Sequence, residues 1–506
     1  MKNKSMHSNI PPNSWFKYVK YTDNILRNEK INPINLSNPF LHPIKPEYKV
    51  LEDLDYLVKG SNSNYCKLKL KFYVYFFKSL WDILEQIFFR KENNLRNQKK
   101  YYKKKYDAIF ISHLNNTKRL EKDSDAYFGN VINKLAKEKK ILLLLIPHCS
   151  FSDEEINKFI LKSRNYDVSI FNKKLVSFKT KIKYIFEILK ERKKFLDLAK
   201  GKNGINKNLL LMTANYFLSP GHISYIMSYL QLKEILKNVK SKSLVTTFEG
   251  HAREKLFYYA AHESKQDIKC IAFQHTLLFK YQHSITRSVG EIYNPDLILC
   301  AGEMAAKTLK QKLNNKKLII KVLGSPEEEK NNLKINRMKK NIILFLPSGD
   351  LEESKYMTNF AIKFAKTNYK ISVIIRYHPL MLNKFENEFK ENFSNLNISC
   401  SSLEEDCNLA KWAVYSASTA ILKAIKLGCM PIRLFCNLPT DFGDPLWQIE
   451  SSEIKTISKP DHLLDIYLNS YRNYHDIDNL NLNKDLLKKL NRLRTHLNLK
   501  ILKENI

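Results

Sequence analysis

From Tyr106 onward, short apolar runs alternate with longer stretches of helical period. The run at 107–113 (DAIFISH) has the apolar content of a buried strand. A helix over 124–138 and a strand over 141–146 follow, which is a βαβ start. Residues 174–200 and 207–238 read as long helices. Next come a strand over 243–248, a helix over 251–263, a strand over 268–273, a short strand over 296–300, a helix over 302–313 and a strand over 318–323, closed by Gly324-Ser325-Pro326. A charged linker over 327–340 precedes a second series. Its strands are 341–346, 371–376, about 397–400, 412–415 and 430–434, with helices over 353–367, 380–391 and 418–427. This rhythm predicts an α/β protein with two parallel, doubly wound, Rossmann-like domains facing one another across a cleft, their ligands outside the carboxyl ends of the strands.

The ends of the chain break the rhythm. Residues 1–60 carry Pro11, Pro12, Pro33, Pro39, Pro43 and Pro46 and read as an irregular arm. Residues 66–92 place Phe72, Tyr73, Phe76, Phe77, Leu80, Leu84, Ile87 and Phe88 at amphipathic-helix spacing. Lys67, Lys69 and Lys71 lie on one side of this segment and Lys99, Lys100, Lys103, Lys104 and Lys105 on the other. Two readings stay open: a helix lying on an anionic membrane surface, or a helix packed on its own domain beside a solvated basic linker. The expected organisation is a basic helical N-terminal extension (1–105), a first Rossmann-like acceptor domain (106–326), a second nucleotide-donor domain (338–475) and a helical tail (476–506).

Composition adjusts this picture in three places. The 506 residues are enough for two or three domains, and the apolar content is that of a folded chain. The net charge of +34 invites a nucleic-acid reading, but 71 of the 85 basic residues are Lys, a point charge of little geometric specificity. A specific nucleic-acid partner is therefore not expected, whereas phosphate-bearing donors and anionic surfaces are. The eight Cys form no C-x-x-C pair and His does not cluster near them, so neither a zinc site nor another cofactor is expected. With no secretory h-region and no apolar run of transmembrane length, a cytoplasmic protein is expected, with peripheral contact at the inner face of the membrane.

Five constellations could carry chemistry. Arg376-Tyr377-His378-Pro379 ends a strand; His378 could donate to phosphate or protonate a leaving group, and Arg376 could grip phosphate bidentately. Ser416-Ala417-Ser418-Thr419 precedes a helix, where hydroxyls cap and backbone amides can hold phosphate. Pro347-Ser348-Gly349 is a tight turn able to approach a ligand, or a plain strand-to-helix turn. Phe248-Glu249-Gly250-His251 ends a strand of the first series, and Glu249 suits a general base; Glu254, inside the next helix, is expected to contact Arg253 or Lys255. Gln274-His275-Thr276 and His113 end two more strands and could position an acceptor. For each, a solvated strand-end residue without a catalytic role is the competing reading. No dinucleotide or P-loop glycine motif is present.

Glu249-Gly250, then His378-Pro379, then Ser416 and Ser418-Thr419, taken with the run from Asp107 through Asp125-Ala126-Tyr127-Phe128-Gly129, resemble bacterial GT-B glycosyltransferases that use CMP-activated sugars, the sialyltransferase and polysialyltransferase group. The resemblance spans roughly 106–450. It implies that Glu249 is the base, that His378 engages the CMP phosphate, and that Ser416, Ser418 and Thr419 hold the nucleotide together with Arg376, Pro379, Ser348 and Gly349. Gly250, His275 and His113 fall on the acceptor side. It further implies inverting, metal-independent transfer from a CMP-sugar, such as a sialic acid, to a surface glycan or its lipid-linked precursor. Two positions depart from the pattern. A single acid precedes Gly250, and the helix after the Ser/Thr pair carries Lys423 where many nucleotide-sugar enzymes place a ribose-binding Glu, which speaks against UDP- or GDP-sugars. The alternatives are a CDP-glycerol or CDP-ribitol transferase of teichoic-acid type and a basic nucleic-acid-binding protein.

Overall fold

The computed structural model describes residues 12–43, 62–88, 101–114, 124–148, 152–162, 164–172, 176–313, 317–327, 339–379, 381–385, 393–436, 443–472 and 484–506. Most of the expected linker, Lys99, Lys100, Cys149, Pro11, Pro46 and residues 386–391 of an expected helix lie outside these. The chain divides into two compact units: one holds 12–276, 282–329 and 495–506, the other 330–494 with 277–281.

The larger unit is built on seven parallel strands: β1 (Lys105–Leu114), β2 (Ile141–Pro147), β3 (Asp167–Ile170), β4 (Lys240–Thr247), β5 (Lys269–Gln274), β6 (Leu297–Cys300) and β7 (Ile319–Val322). They run in the order β3-β2-β1-β4-β5-β6-β7. The smaller unit has six: β8 (Lys340–Leu346), β9 (Ser372–Ile375), β10 (Leu396–Ile398), β11 (Ala410–Tyr415), β12 (Met430–Leu434) and β13 (Lys455–Ile457), ordered β10-β9-β8-β11-β12-β13. Both sheets are Rossmann-like, each reversing its winding direction between its first and fourth strands, β1/β4 and β8/β11. At such a switch point the loops diverge and leave a crevice. Helices cover both faces, so central strands such as β2 and β11 are nearly continuous apolar runs. Phe110, Leu143, Val245 and Phe273 pack in one core, Phe345, Val373, Trp412 and Ile432 in the other.

Several elements differ from the sequence-based expectation. The helix expected over 124–138 is confined to Val131–Leu135, because the Asp125 carboxylate accepts the N–H groups of Tyr127 and Phe128, both at 2.8 Å, and fixes a turn instead. The helices expected over 174–200 and 207–238 are three, Phe178–Lys200, Gly204–Tyr216 and Pro220–Asn238. Leu218 takes φ +68°, and Ser219 then caps a helix that opens on Pro220. Strands β3 and β13 are too short to reveal a period in sequence. The expected irregular arm contains the helix Pro12–Asn28 and is folded into the larger unit, burying Trp15, Leu26, Phe40 and Leu41.

The last residues of the chain close the larger unit. Ser325 N–H donates to the Thr495 carbonyl (2.9 Å), Thr495 N–H to that of Ala301 (2.9 Å) and Asn498 N–H to that of Leu323 (2.8 Å); Leu502 joins the core. Gly324, at φ +91°, makes this crossing possible: a Cβ there would stand 2.2 Å from the His496 carbonyl oxygen. Gly324→Ala is therefore expected to cost about 2 kcal/mol or more, from strain and lost pairing. Chemical denaturation checks this; an unchanged midpoint would contradict it.

Candidate active site

In the larger unit, β4 runs into the turn Phe248-Glu249-Gly250-His251 and the helix Ala252–His262. Two features fix this turn. Gly250 has φ +85°, and a Cβ would lie 2.3 Å from the backbone of Ser284 and Ile285, so only glycine fits. Glu254, buried in the helix's first turn, accepts the N–H groups of Glu249 (3.1 Å), Gly250 (2.7 Å) and His251 (2.9 Å). The expected contact of Glu254 with Arg253 or Lys255 is thus replaced by three backbone amides. Arg253 instead lies over the Tyr225 ring and donates to Ser224 (3.0 Å), and Lys255 donates to the Arg287 carbonyl (2.9 Å). From the N-terminal segment, His42 reaches the Gly250 carbonyl (2.6 Å), and Arg287 holds His42 (3.2 Å).

The turn leaves the Glu249 carboxylate about one-third exposed, with His251 Nε2 and His275 Nε2 each 3.4 Å away on separate oxygens. His275 packs edge-on against Tyr127, with ring centroids 4.6 Å apart. At the ends of β1 and β2, His113 Nδ1 and His148 Nε2 are 2.6 Å apart, and His113 also meets Tyr127. The sequence candidates Glu249, Gly250, His275 and His113 therefore gather at the carboxyl ends of β1, β4 and β5. His113, His148, His251, Arg253 and Glu254 also line a cavity of about 90 Å³.

Burial sets the charge states here. It pushes the Glu254 carboxyl up to about 7, against the pull of the His251 charge and the backbone donors. For His251 burial works downward, but the hydrogen bond to Glu249 and the charges of Glu254 and Glu249 outweigh it and raise its pKa above the ordinary 6.5. His113 falls to about 3, through burial and then the charges of His148, Arg253 and His251. His148 is lowered by burial and by Arg253 and His251.

In the smaller unit, Pro347-Ser348-Gly349 follows β8, Arg376 through Pro379 follows β9, and Ser416 through Thr419 follows β11. These elements sit side by side at the switch point. The His378 ring rests on Gly349: a Cβ at 349 would lie 3.3 Å from its Nδ1. His378 and Pro379 are exposed, and partial burial lowers the His378 pKa. Glu353 ties two of the loops together, its carboxylate accepting Ser348 Oγ and the Ala417 N–H (3.0 Å). Ser416 and Ser418 are buried. Thr419 stands exposed at the start of the helix Ala420–Lys426, with no side-chain capping bond there. Arg376 is engaged elsewhere, in an ion pair with the buried Asp406 (2.9 Å) and a bond to the Ser401 carbonyl. Lys423 pairs with Glu404.

Sequence reasoning missed His148, His251, Tyr127 and Glu353. The strand-end rule that singled out His113 and His275 applies equally to His148, which directly follows β2. Glu353 had no such signal: Ser348 is five residues back across a turn, and Ala417 is 64 residues further on. Among the described residues, one trio has metal-ligand chemistry. His262, Cys270 and Asp296, with ligand atoms within 4.8 Å of one another, lie at the amino ends of β5 and β6, where a His262–Asp296 pair (3.5 Å) already joins them.

No family model matches the chain, and no curated protein matches it. Solved structures do. UDP-GlcNAc 2-epimerase from Methanocaldococcus jannaschii, in complex with UDP-GlcNAc and UDP, is 13% identical, with 72% of this chain and 93% of that chain covered and a TM-score of 0.39. The UDP-GlcNAc 2-epimerase from Neisseria meningitidis bound to UDP-GlcNAc is 13% identical over 76% and 99%, at 0.41. The glycotransferase of kitacinnamycin is 10% identical over 79% and 98%, at 0.45.

Buried imidazoles give the fold a pH signature. His42, His113, His148, His222 and His283 all sit below 6.5, chiefly through burial, with His222 at about 4. The unfolded chain takes up these protons near pH 6.5 while the folded chain resists, so their contribution is lost as pH falls from about 6.5 towards 4. His251 and His262 are raised; theirs is present below 6.5 and lost as pH rises through their folded values. Among the imidazoles the lowered groups outnumber the raised ones, and Glu254, raised to about 7, offsets part of their effect between 7 and 4.5. Stability is expected to drop on acidification below 6.5, and His113→Gln to flatten the drop by up to about 1.4 kcal/mol per pH unit. Melting curves across that range check this; a profile flat from 6.5 to 4.5 would contradict it.

Proposed function

We propose that the protein is a glycosyltransferase of GT-B type that moves a sugar, a nonulosonic acid such as sialic acid, from a CMP-activated donor to a hydroxyl of a surface glycan or its lipid-linked precursor. The observation that carries this reading is the Glu249 carboxylate, held by a fixed turn between His251 and His275 at the carboxyl end of β4. In the smaller unit, separately, His378 is seated on Gly349 beside the Ser416–Thr419 loop. A carboxylate bracketed by imidazoles suits proton removal from an alcohol, and an exposed imidazole over a glycine turn suits a leaving phosphate.

In this reading the acceptor hydroxyl gives its proton to Glu249 as its oxygen attacks the anomeric carbon. The bond from that carbon to the CMP phosphate oxygen breaks, and single displacement inverts the centre. His378 donates a hydrogen bond or a proton to the departing phosphate, whose negative charge raises the imidazole pKa that burial has lowered. The Ser348–Gly349 turn and the hydroxyls of Ser416, Ser418 and Thr419 hold the nucleotide, with Arg376 supporting the β9 end through Asp406. His113 lies on the acceptor side. Lys423, paired with Glu404, stands where many UDP- and GDP-sugar enzymes place a ribose-binding Glu, a departure from their pattern.

Glu249→Gln is expected to lower transfer by at least about 10²-fold while leaving CMP affinity intact. His378→Ala should lose most transfer and weaken CMP binding. Both are read by CMP release from CMP-sialic acid in the presence of acceptor glycans. Near-normal turnover in either variant would contradict the assignment. Release of CMP from CDP-glycerol, with none from CMP-sialic acid, would replace the sugar by a polyol phosphate.

A further inference from the structure

The helix Asn62–Phe88 carries an apolar stripe that is exposed among the described residues. Leu70, Tyr73, Val74, Phe77, Trp81 and Leu84 are each between 43% and 65% exposed. At 3.6 residues per turn they fall in one band about 100° wide. The opposite side faces the protein: Phe72 is buried, with the Arg192 guanidinium 3.9 Å over its ring. The helix packs on its own unit through one face and presents a second, largely apolar one.

The charges beside that stripe have a pattern. Lys78 lies on one flank and Lys69 on the other, both exposed and about a quarter-turn from the band's centre, while Lys71 reaches over the Tyr216 ring of its own unit. Lysines there can stretch their ammonium groups sideways while the stripe itself is immersed. Two aromatic residues with polar edges, Tyr73 and Trp81, belong to the stripe and suit the boundary between hydrocarbon and headgroups. No helix among the described residues is long and apolar enough to cross a membrane, so this one can lie on a bilayer without spanning it.

The geometry points to this face as a docking surface for an anionic lipid bilayer, independent of the transfer reaction proposed above. Charge selects the occupant. A second copy of this chain would bring the same flanking lysines and a net charge of +34 against themselves, whereas an anionic headgroup layer complements both. Each lysine near such a surface contributes about five-fold in binding.

The test uses the full chain in sedimentation with vesicles of phosphatidylglycerol and phosphatidylethanolamine, and with vesicles of phosphatidylcholine alone. The expected result is binding to the anionic vesicles that weakens with salt, and little binding to the neutral ones. Phe77→Glu with Trp81→Glu should weaken binding more than ten-fold with an unchanged melting curve, since both side chains are exposed. Lys69→Gln with Lys78→Gln should weaken it on anionic vesicles while leaving the stripe intact. Equal binding to both vesicle types, undiminished binding by the Phe77/Trp81 variant, or a wild-type dimer that this variant dissolves would overturn the proposal.

Discussion

The carboxylate of Glu254 is the constraint on which the candidate site depends. It gathers three successive backbone N–H groups, of Glu249, Gly250 and His251, within 3.1 Å, and so dictates the path of the chain between β4 and the next helix. Groups buried this deeply must find partners, and here each is the other's partner. Gly250 completes the arrangement by taking a left-handed conformation against Ser284 and Ile285, where any side chain would collide. With the backbone determined, Glu249 has its carboxylate between two imidazoles, 3.4 Å from each. The N-terminal segment buttresses the same turn through His42 and Arg287, which is why residues far from the motif in sequence fold into this unit.

The smaller unit uses the same device with different parts. Glu353 accepts from Ser348 and from the Ala417 amide, locking the β8 and β11 loops to each other, and Gly349 leaves room for the His378 ring. In both units one buried glutamate organises backbone at a switch point, and a glycine permits a close approach, of the Ser284–Ile285 backbone at Gly250 and of the His378 ring at Gly349. This repetition follows from the sheet order, which is the same for the first six strands of each. A parallel sheet that reverses its winding opens its loops there, and their backbone amides need acceptors.

Much of this was legible in sequence because strand rhythm is local. Runs such as 141–146 and 430–434 match β2 and β12 to within a residue, whereas β3 and β13 left no run to read, and the candidates that end the legible strands are the residues that gather at the sheet ends. Local turn chemistry was less visible. Asp125 converts half of an apparent helix into a turn, and Leu218 and Pro220 break an apparent single helix, through interactions that periodicity does not register. Arg376 shows the reverse difficulty. Its place at a strand end suggested a ligand contact, yet Asp406, thirty residues on, engages it. The exposed stripe on the helix Asn62–Phe88 was seen as an amphipathic pattern, but only packing could show which face turns outward.

The most direct test of the account is a thermal-shift comparison of CMP, CDP, UDP and GDP on the wild-type protein and on His378→Ala. A ligand at a hundred times its dissociation constant adds about 2.7 kcal/mol to stability. The account predicts the largest stabilisation from CMP, and its loss in the His378 variant. A larger shift with UDP or GDP, or a CMP shift unchanged by removing His378, would contradict it.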